Sequence, residues 1–369
     1  MQFKSIIGQE GIKKRLIEMV QSNRLPHAQL FLGPKGCGKL ALAVAFAQYA
    51  LCENKQDNDA CGRCVPCIKT KKLIHPDVHF SYPTVGSKVV STTFLKEWRT
   101  ALAENPYMNV NQWLKTLGAD NKQGNITKDE CVAIVKKLSL KTFEGRYKIL
   151  IMWLPEYLGK EGNRLLKLIE EPPENTLFIL VAENQELILN TILSRCQILK
   201  INQLSDEEVA EGLVEKAGQS SEEAMSLARL ANGNFNEALT LTEHTENDNA
   251  KLFLEWFRIC YKGNGLEMVK QTEALAKLGR ENQKYFFTYA LHFLREYMVL
   301  KLTNDIDNIR LQKAERDTAQ RMTKVIQFEQ IQPIQELINE AFFHIERNAN
   351  PKVLFLDVSI QLHRILRRR

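Results

Sequence analysis

Gly33-Pro34-Lys35-Gly36-Cys37-Gly38-Lys39 has the residue types and spacing of a loop built to hold phosphate. Its glycines let the backbone turn N–H groups toward an anion, and a following helix would add the positive end of its dipole. Lys39 would place an ammonium on the β- and γ-phosphates. Hydrolysis by such a loop also needs a metal. The residue after the lysine normally supplies a hydroxyl to Mg²⁺, and acidic residues at the end of a second strand complete the metal site and orient the attacking water. Here the residue after the lysine is Leu40, and the candidate strand Tyr147-Lys148-Ile149-Leu150-Ile151-Met152 runs into Trp153-Leu154-Pro155-Glu156. Leucine cannot ligate a cation, and Trp153 and Leu154 stand where carboxylates are needed. Glu156 comes two residues late, a shift that alters facing and reach on a strand or its exit. Without metal ligands, phosphoryl transfer loses its main electrostatic stabilisation. The pattern predicts a nucleotide-hydrolase scaffold that does not itself hydrolyse nucleotide; the bland alternative is a glycine turn with no ligand.

Cys52, Cys61, Cys64 and Cys67 form a C-x₈-C-x₂-C-x₂-C array. Two-residue gaps let neighbouring thiolates converge on one cation, and four thiolates suit a closed, tetrahedral structural zinc site. An iron–sulfur cluster and a set of free thiols are the alternatives. A closed site has no open position, so no zinc chemistry is expected. Cys37, Cys131, Cys196 and Cys260 are scattered and read as small buried hydrophobes. His27, His75 and His79 lie near the loop or the cysteines and are expected to take ordinary packing or surface roles, since four thiolates already complete a metal shell.

The elements that must position these groups alternate between strand-like and helical segments up to about residue 200, which predicts an α/β domain with a parallel sheet. The strand candidates are Gln29–Leu32, Val78–Tyr82, Lys148–Met152, Leu177–Val181 and Ile198–Ile201. Apolar Ala28-Gln29-Leu30-Phe31-Leu32 before the loop and the small, apolar stretch Ala41 to Ala50 after it give the strand, loop and helix order that phosphate binding requires. Residues 84–127, with Trp98 and Trp113, fit no sheet element and read as an insertion of two or so short helices. Beyond Leu204 the strand signals stop. Ser205-Asp206-Glu207-Glu208 and Ser220-Ser221-Glu222-Glu223 are helix starts, and Ala231-Asn232-Gly233-Asn234 is a stop. This predicts a domain over 1–204, a small helical domain over 205–243 and an all-helical domain over 248–369. In the last, Phe253, Trp256, Phe257 and Cys260, then Phe286, Phe287, Ala290, Phe293, Leu294 and Tyr297, recur at helical spacing.

A chain of 369 residues exceeds one ordinary domain. Its net charge of +6 permits contact with a polyanion without requiring one. Arg364, Arg367, Arg368 and Arg369 read as a solvated helix end before a phosphate contact. Charges at Lys4, Glu10, Lys13, Lys14 and Arg15 interrupt any apolar core of a signal sequence, and no run approaches a membrane span, so a cytoplasmic location is expected. Reducing conditions there argue against a disulfide framework.

Several segments together carry a resemblance. They are Ile6-Ile7-Gly8-Gln9, Arg24-Leu25-Pro26-His27-Ala28, the four-cysteine module after the loop helix, and Asn163-Arg164-Leu165-Leu166-Lys167 leading into Glu170-Glu171-Pro172-Pro173. Ser194-Arg195-Cys196 and Asn350-Pro351-Lys352 complete the set. The chain resembles the AAA+ clamp-loader family, and within it the delta-prime group of bacterial DNA polymerase III. The resemblance implies an AAA+ P-loop domain with an inserted zinc module, a helical lid and an all-α collar that oligomerises. It implies a rigid member of a five-subunit ring that loads a sliding clamp on primed DNA, with the motor (tau/gamma) and delta subunits as partners. Motor subunits of that family keep Ser or Thr after the loop lysine and an Asp-Glu pair after the second strand, which agrees with the losses at Leu40, Trp153 and Leu154. The sensor arginine of the motors is replaced by Asn236. Gly33, Gly36, Gly38 and Lys39 are then a degenerate nucleotide site, with ATP occupancy doubtful. Arg195 is the catalytic residue implied, acting in trans on a neighbouring subunit's nucleotide as an arginine finger.

Two other functions stand beside this one. An active ATPase of the same family would need Glu156 to move into place. A zinc-containing nucleic-acid-binding protein without a ring would bind DNA tightly, with steep salt dependence.

Overall fold

Alternate residues of the central strands feed two different cores, the behaviour of a parallel sheet covered on both faces. The computed structural model describes residues 1–119, 122–242, 249–311, 313–323, 325–347 and 349–367. Five parallel strands, β1 (Ala28–Leu32), β2 (Val78–Ser81), β3 (Lys148–Trp153), β4 (Thr176–Ala182) and β5 (Gln197–Lys200), lie in the order β2-β3-β4-β1-β5. Each strand expected from the sequence is present, with ends differing by a residue. In register, Leu30 faces Leu180 on one side and Ile198 on the other. Phe31, Ile149, Ile151, Ile179 and Val181 point to one core, and Leu30, Leu150, Met152, Phe178 and Leu180 to the other.

Helix Lys39–Leu51 is buried along its whole length, as its apolar circumference requires. It packs on β1, β3 and β4, with helices Glu10–Gln21 and Val65–Lys71 against it. The opposite core is closed by Cys131, Ile134 and Leu138 of helix Lys128–Leu138 and by Leu158 and Leu165.

Residues 84–127 contain helices Leu95–Glu104 and Val110–Thr116, with a 3₁₀ turn at Ser91–Phe94. Far from peripheral, they carry part of the main core. Trp98 and Trp113 are fully buried. Trp98 stacks on Tyr82 with ring centroids 4.0 Å apart, meets Trp113 edge-on at 5.2 Å and reaches Trp153 at 5.4 Å.

Beyond β5 come helices Asp206–Ala217, Ser221–Ala231 and Phe235–Thr242. Their starts follow the sequence: the Ser205 hydroxyl accepts the Glu208 N–H while the Glu208 carboxylate accepts the Ser205 N–H, and Ser220 accepts from Glu223. The chain divides into two compact units, Met1–Leu239 and Thr240–Arg369. The expected boundary at 243–248 lies outside the described residues, as do Arg368 and Arg369. The second unit holds helices Asn249–Lys262, Gly265–Ala276, Arg280–Thr303, Lys313–Met322, Phe328–Glu346 and Pro351–Arg367. Its core is aromatic: Phe287 stacks on Phe355 at 4.9 Å, and Trp256 donates from Nε1 to the Ser359 hydroxyl at 2.8 Å. Among the described residues no helix is long and apolar enough to cross a membrane.

Candidate functional site

Gly33 to Lys39 connects the end of β1 to helix Lys39–Leu51, the geometry that points loop N–H groups and a helix N-terminus at one place. In this chain the loop is tied to the rest of the protein by several contacts. Lys39 is buried; its Nζ donates to the Pro34 carbonyl at 2.9 Å and pairs with the Glu183 carboxylate at 3.3 Å. Glu183 follows β4, so the pair bridges two adjacent strands at their C-terminal ends. Gly36 has φ +69°, and a Cβ there would lie 1.7 Å from Asn234 Oδ1. The Phe235 N–H donates to the Gly36 carbonyl at 3.2 Å. Gly38 has φ +85°, and its added Cβ would meet the Tyr107 ring at 3.0 Å. The glycines are therefore required by contacts within this chain. Asn236, which the resemblance sets in place of a motor arginine, is buried and accepts from Asn105 Nδ2 at 2.7 Å.

The positions that would hold a metal are part of the core. Leu40, Trp153 and Leu154 are each 3% exposed or less. Trp153 ends β3 inside the aromatic cluster with Trp98. Leu154 turns the chain in the left-handed region at φ 57° and donates its N–H to the Val181 carbonyl at 2.8 Å. Glu156 is engaged through one oxygen, while its buried Oε2 has no hydrogen-bond partner. Its Oε1 accepts the N–H groups of Glu183 at 2.5 Å and Asn184 at 2.9 Å. Burial raises its pKa above the usual carboxylate range, against the pull of those N–H groups. It acts as a bracket for the segment that presents Glu183.

Arg195 follows the short helix Asn190–Leu193 and precedes β5. Its guanidinium donates to the Thr191 carbonyl at 2.6 Å and to the Ser194 hydroxyl at 3.3 Å, and it pairs with the Glu170 carboxylate at the end of helix Leu166–Glu170. An open depression of about 400 Å³ is lined by His27, Glu170, Ser194 and Arg195. The sequence places Arg195 as the functional residue but gives Glu170 no role and His27 only an ordinary packing or surface one. The signal for Glu170 was its position in the Glu170-Glu171-Pro172-Pro173 segment.

Cys52, Cys61, Cys64 and Cys67 bring their sulfurs within 4.8 Å of one another. Cys61 to Cys67 is 4.0 Å and Cys64 to Cys52 is 3.9 Å. Four sulfurs at the ~2.3 Å zinc–sulfur distance of a tetrahedral site would stand about 3.8 Å apart, so the four residues fit a zinc ion. Backbone N–H groups support the sulfurs: Cys61 N–H donates to Cys52 Sγ at 3.3 Å and Cys64 N–H to Cys61 Sγ at 3.4 Å. Burial pushes the Cys61 thiol up, but the N–H groups of Arg63 and Cys64 and the neighbouring thiols bring it down to about 6. Cys52 ends the loop helix, and Asp59 accepts the N–H groups of Phe3 and Lys4, so the module is tied to both the helix and the chain start. Of the other cysteines, Cys37, Cys131 and Cys260 are buried and Cys196 is half-buried. His75 is buried, its Nδ1 accepting the Asp77 N–H at 3.1 Å.

Comparison with known proteins bears on the same region. The family model described as "DNA polymerase III, delta subunit" matches residues 8–205. The chain is 26% identical over 312 residues to DNA polymerase III subunit gamma of Buchnera aphidicola subsp. Acyrthosiphon pisum, covering 83% of this chain and 72% of that protein. It is 27% identical over 239 residues to DNA polymerase III subunit delta' of Bacillus subtilis, covering 64% and 60%. It is 25% identical over 231 residues to subunit delta' of Escherichia coli, covering 62% and 58%. The family match takes in more than half of the chain, from the phosphate-type loop through the cysteine module to Arg195, and the chain belongs to the DNA polymerase III delta-subunit family of clamp-loader proteins.

Proposed function

We propose that this chain is a non-hydrolysing, delta-prime-like subunit of the replicative clamp loader, helping to place the sliding clamp on primed DNA beside motor (tau/gamma) and delta subunits in the cytoplasm. The observation that carries the first half of this reading is the loop lysine: Lys39 is paired with Glu183, next to buried Leu40, Trp153 and Leu154, with no hydroxyl or carboxylate at the metal positions. Glu156, on which an active ATPase would depend, has its Oε1 held by two backbone N–H groups. ATP binding at Gly33, Gly36, Gly38 and Lys39 is not part of the proposed role.

Arg195 is the residue proposed to act, as an arginine finger on a neighbouring subunit's nucleotide. A cation placed on the γ-phosphate stabilises transition-state charge and can be worth ~10³–10⁵ in rate. In support, Arg195 lines an open depression and its side chain is 31% exposed. The residues after β5 are proposed to divide into a lid over 205–243 and a collar over 248–369 that oligomerises. A structural zinc held by Cys52, Cys61, Cys64 and Cys67 is proposed to stabilise the end of the loop helix; four thiolates would leave it no open position.

The test is twofold. The isolated chain should show no metal-dependent ATP turnover; turnover that disappears on Lys39→Ala would sink the proposal. In a loader reconstituted with gamma- and delta-type subunits, Arg195→Ala should cause a large loss of DNA- and clamp-stimulated hydrolysis with assembly intact. No loss would leave the chain a scaffold.

A further inference from the structure

An arginine finger works only if its charge is free to meet phosphate, and Arg195 is not free in this chain. Three of its five N–H donors are engaged: two from Nη1 to the Thr191 carbonyl and the Ser194 hydroxyl, and one from Nη2 to Glu170. Its Nε is buried and takes no partner. The Thr191 carbonyl belongs to a short helix whose end leaves such groups unsatisfied, so that contact anchors the side chain from behind. Glu170 is different in kind. It adds a full negative charge beside the guanidinium, cancelling the charge that would stabilise a phosphoryl transition state.

We infer that Glu170 is a latch on Arg195, an intramolecular stand-in for phosphate that holds the guanidinium until a nucleotide triphosphate on the adjoining subunit displaces it. This rests on the arginine-finger reading and adds its regulation. Nucleotide must compete with Glu170, so the apparent affinity of the neighbouring site is reduced by the fraction of Arg195 that is latched. Both groups are partly exposed, with side chains 31% and 46% accessible, so the competition is modest and reversible. His27 and Ser194 complete the lining of the same open depression of about 400 Å³.

Glu170→Gln tests this, since it keeps an oxygen acceptor and removes the charge. In the reconstituted loader the KM for ATP should fall roughly two- to fivefold, the range set by partly exposed ion pairs, with kcat maintained. An unchanged KM, or a fall in kcat, would overturn the latch and make Glu170 a support for Arg195 or a bystander. Separately, phenylglyoxal should modify Arg195 of the isolated wild-type chain more slowly than that of Glu170→Gln or Glu170→Ala, as followed by peptide mass spectrometry; equal rates also overturn the proposal. Arg195→Ala in the same loader separates the two ideas. Full activity in that variant removes the finger and the latch together, whereas lost activity with an unresponsive Glu170→Gln removes the latch alone.

Discussion

Lys39 Nζ stands 3.3 Å from the Glu183 carboxylate, joining the start of the loop helix to the residue that follows β4. The ammonium that would meet a nucleotide's phosphates is thereby neutralised by the chain itself. Removing Glu183 leaves a buried cation without its partner. Breaking a buried pair from one side costs about 3–5 kcal/mol, and the 21% exposure of Glu183 softens this. Glu183→Ala should therefore lose about 2 kcal/mol in urea denaturation, and Lys39→Met, which removes the charge instead, should lose less. Equal losses would mean that the pair is not what holds the loop.

Restoring a hydroxyl after the loop lysine should not restore hydrolysis. Leu40 is 3% exposed, so Leu40→Thr buries a polar group at a cost of about 1–3 kcal/mol. Trp153 and Leu154 still supply no carboxylate. Phosphate release by Leu40→Thr should equal that of the parent chain; measurable turnover would show that the metal site needs less than argued.

Metal content is a direct check on the cysteine module. Elemental analysis should return one zinc per chain, and Cys64→Ser should lose it and lower the melting temperature of the first unit, because metal binding energy is folding energy. Iron, or no metal, would overturn the assignment.

Trp98 holds residues 84–127 to the sheet through Tyr82, Trp113 and Trp153. Trp98→Ala should cost about 3–5 kcal/mol, the usual range for emptying a packed aromatic site. A loss below about 1 kcal/mol would show that this segment is peripheral after all.

His79, on β2, has its pKa lowered to about 4, first by burial and then by the Lys137 charge. Between pH 6.5 and about 4 the unfolded chain takes up a proton that the folded chain does not, so stability falls as pH falls through this window. The effect should be on the order of 3 kcal/mol at most. Urea titrations at pH 7 and 4.5 should show a smaller drop for His79→Gln than for the parent; parallel drops would exclude His79 as the cause. Asp77, whose carboxylate accepts the N–H groups of Phe143, Glu144 and Gly145, has a lowered pKa despite burial. Its contribution is present above the ordinary aspartate range and is lost only below that window.

Much of the site was legible because its information is local. A hydroxyl is either present after the loop lysine or it is not, and Leu40 decides the matter without a structure. The cysteine spacing works the same way, since two-residue gaps carry thiols to one point by short-range geometry. The central strands β1, β3 and β4 were legible because both faces of the sheet are covered there and their apolar runs are nearly unbroken. Residues 84–127 were legible as short helices but not as core. Their contacts run to β2 and β3, and nothing in the segment's own periodicity names those partners.

The sequence by itself determined which chemical groups are missing, which four thiols can share a metal, and that Arg195 is the cation in a family-like triplet. Tertiary structure alone decided what fills the vacated roles. Lys39 meets Glu183 across 144 residues and Arg195 meets Glu170 across 25. Glu156, rather than moving toward a metal, braces the Glu183 backbone. These pairings depend on the strand order β2-β3-β4-β1-β5, which sets β1 beside β4 and β5 although both lie far along the chain. Spacing fixes what a short segment can present, whereas the sheet's crossovers decide which distant charge it is presented to.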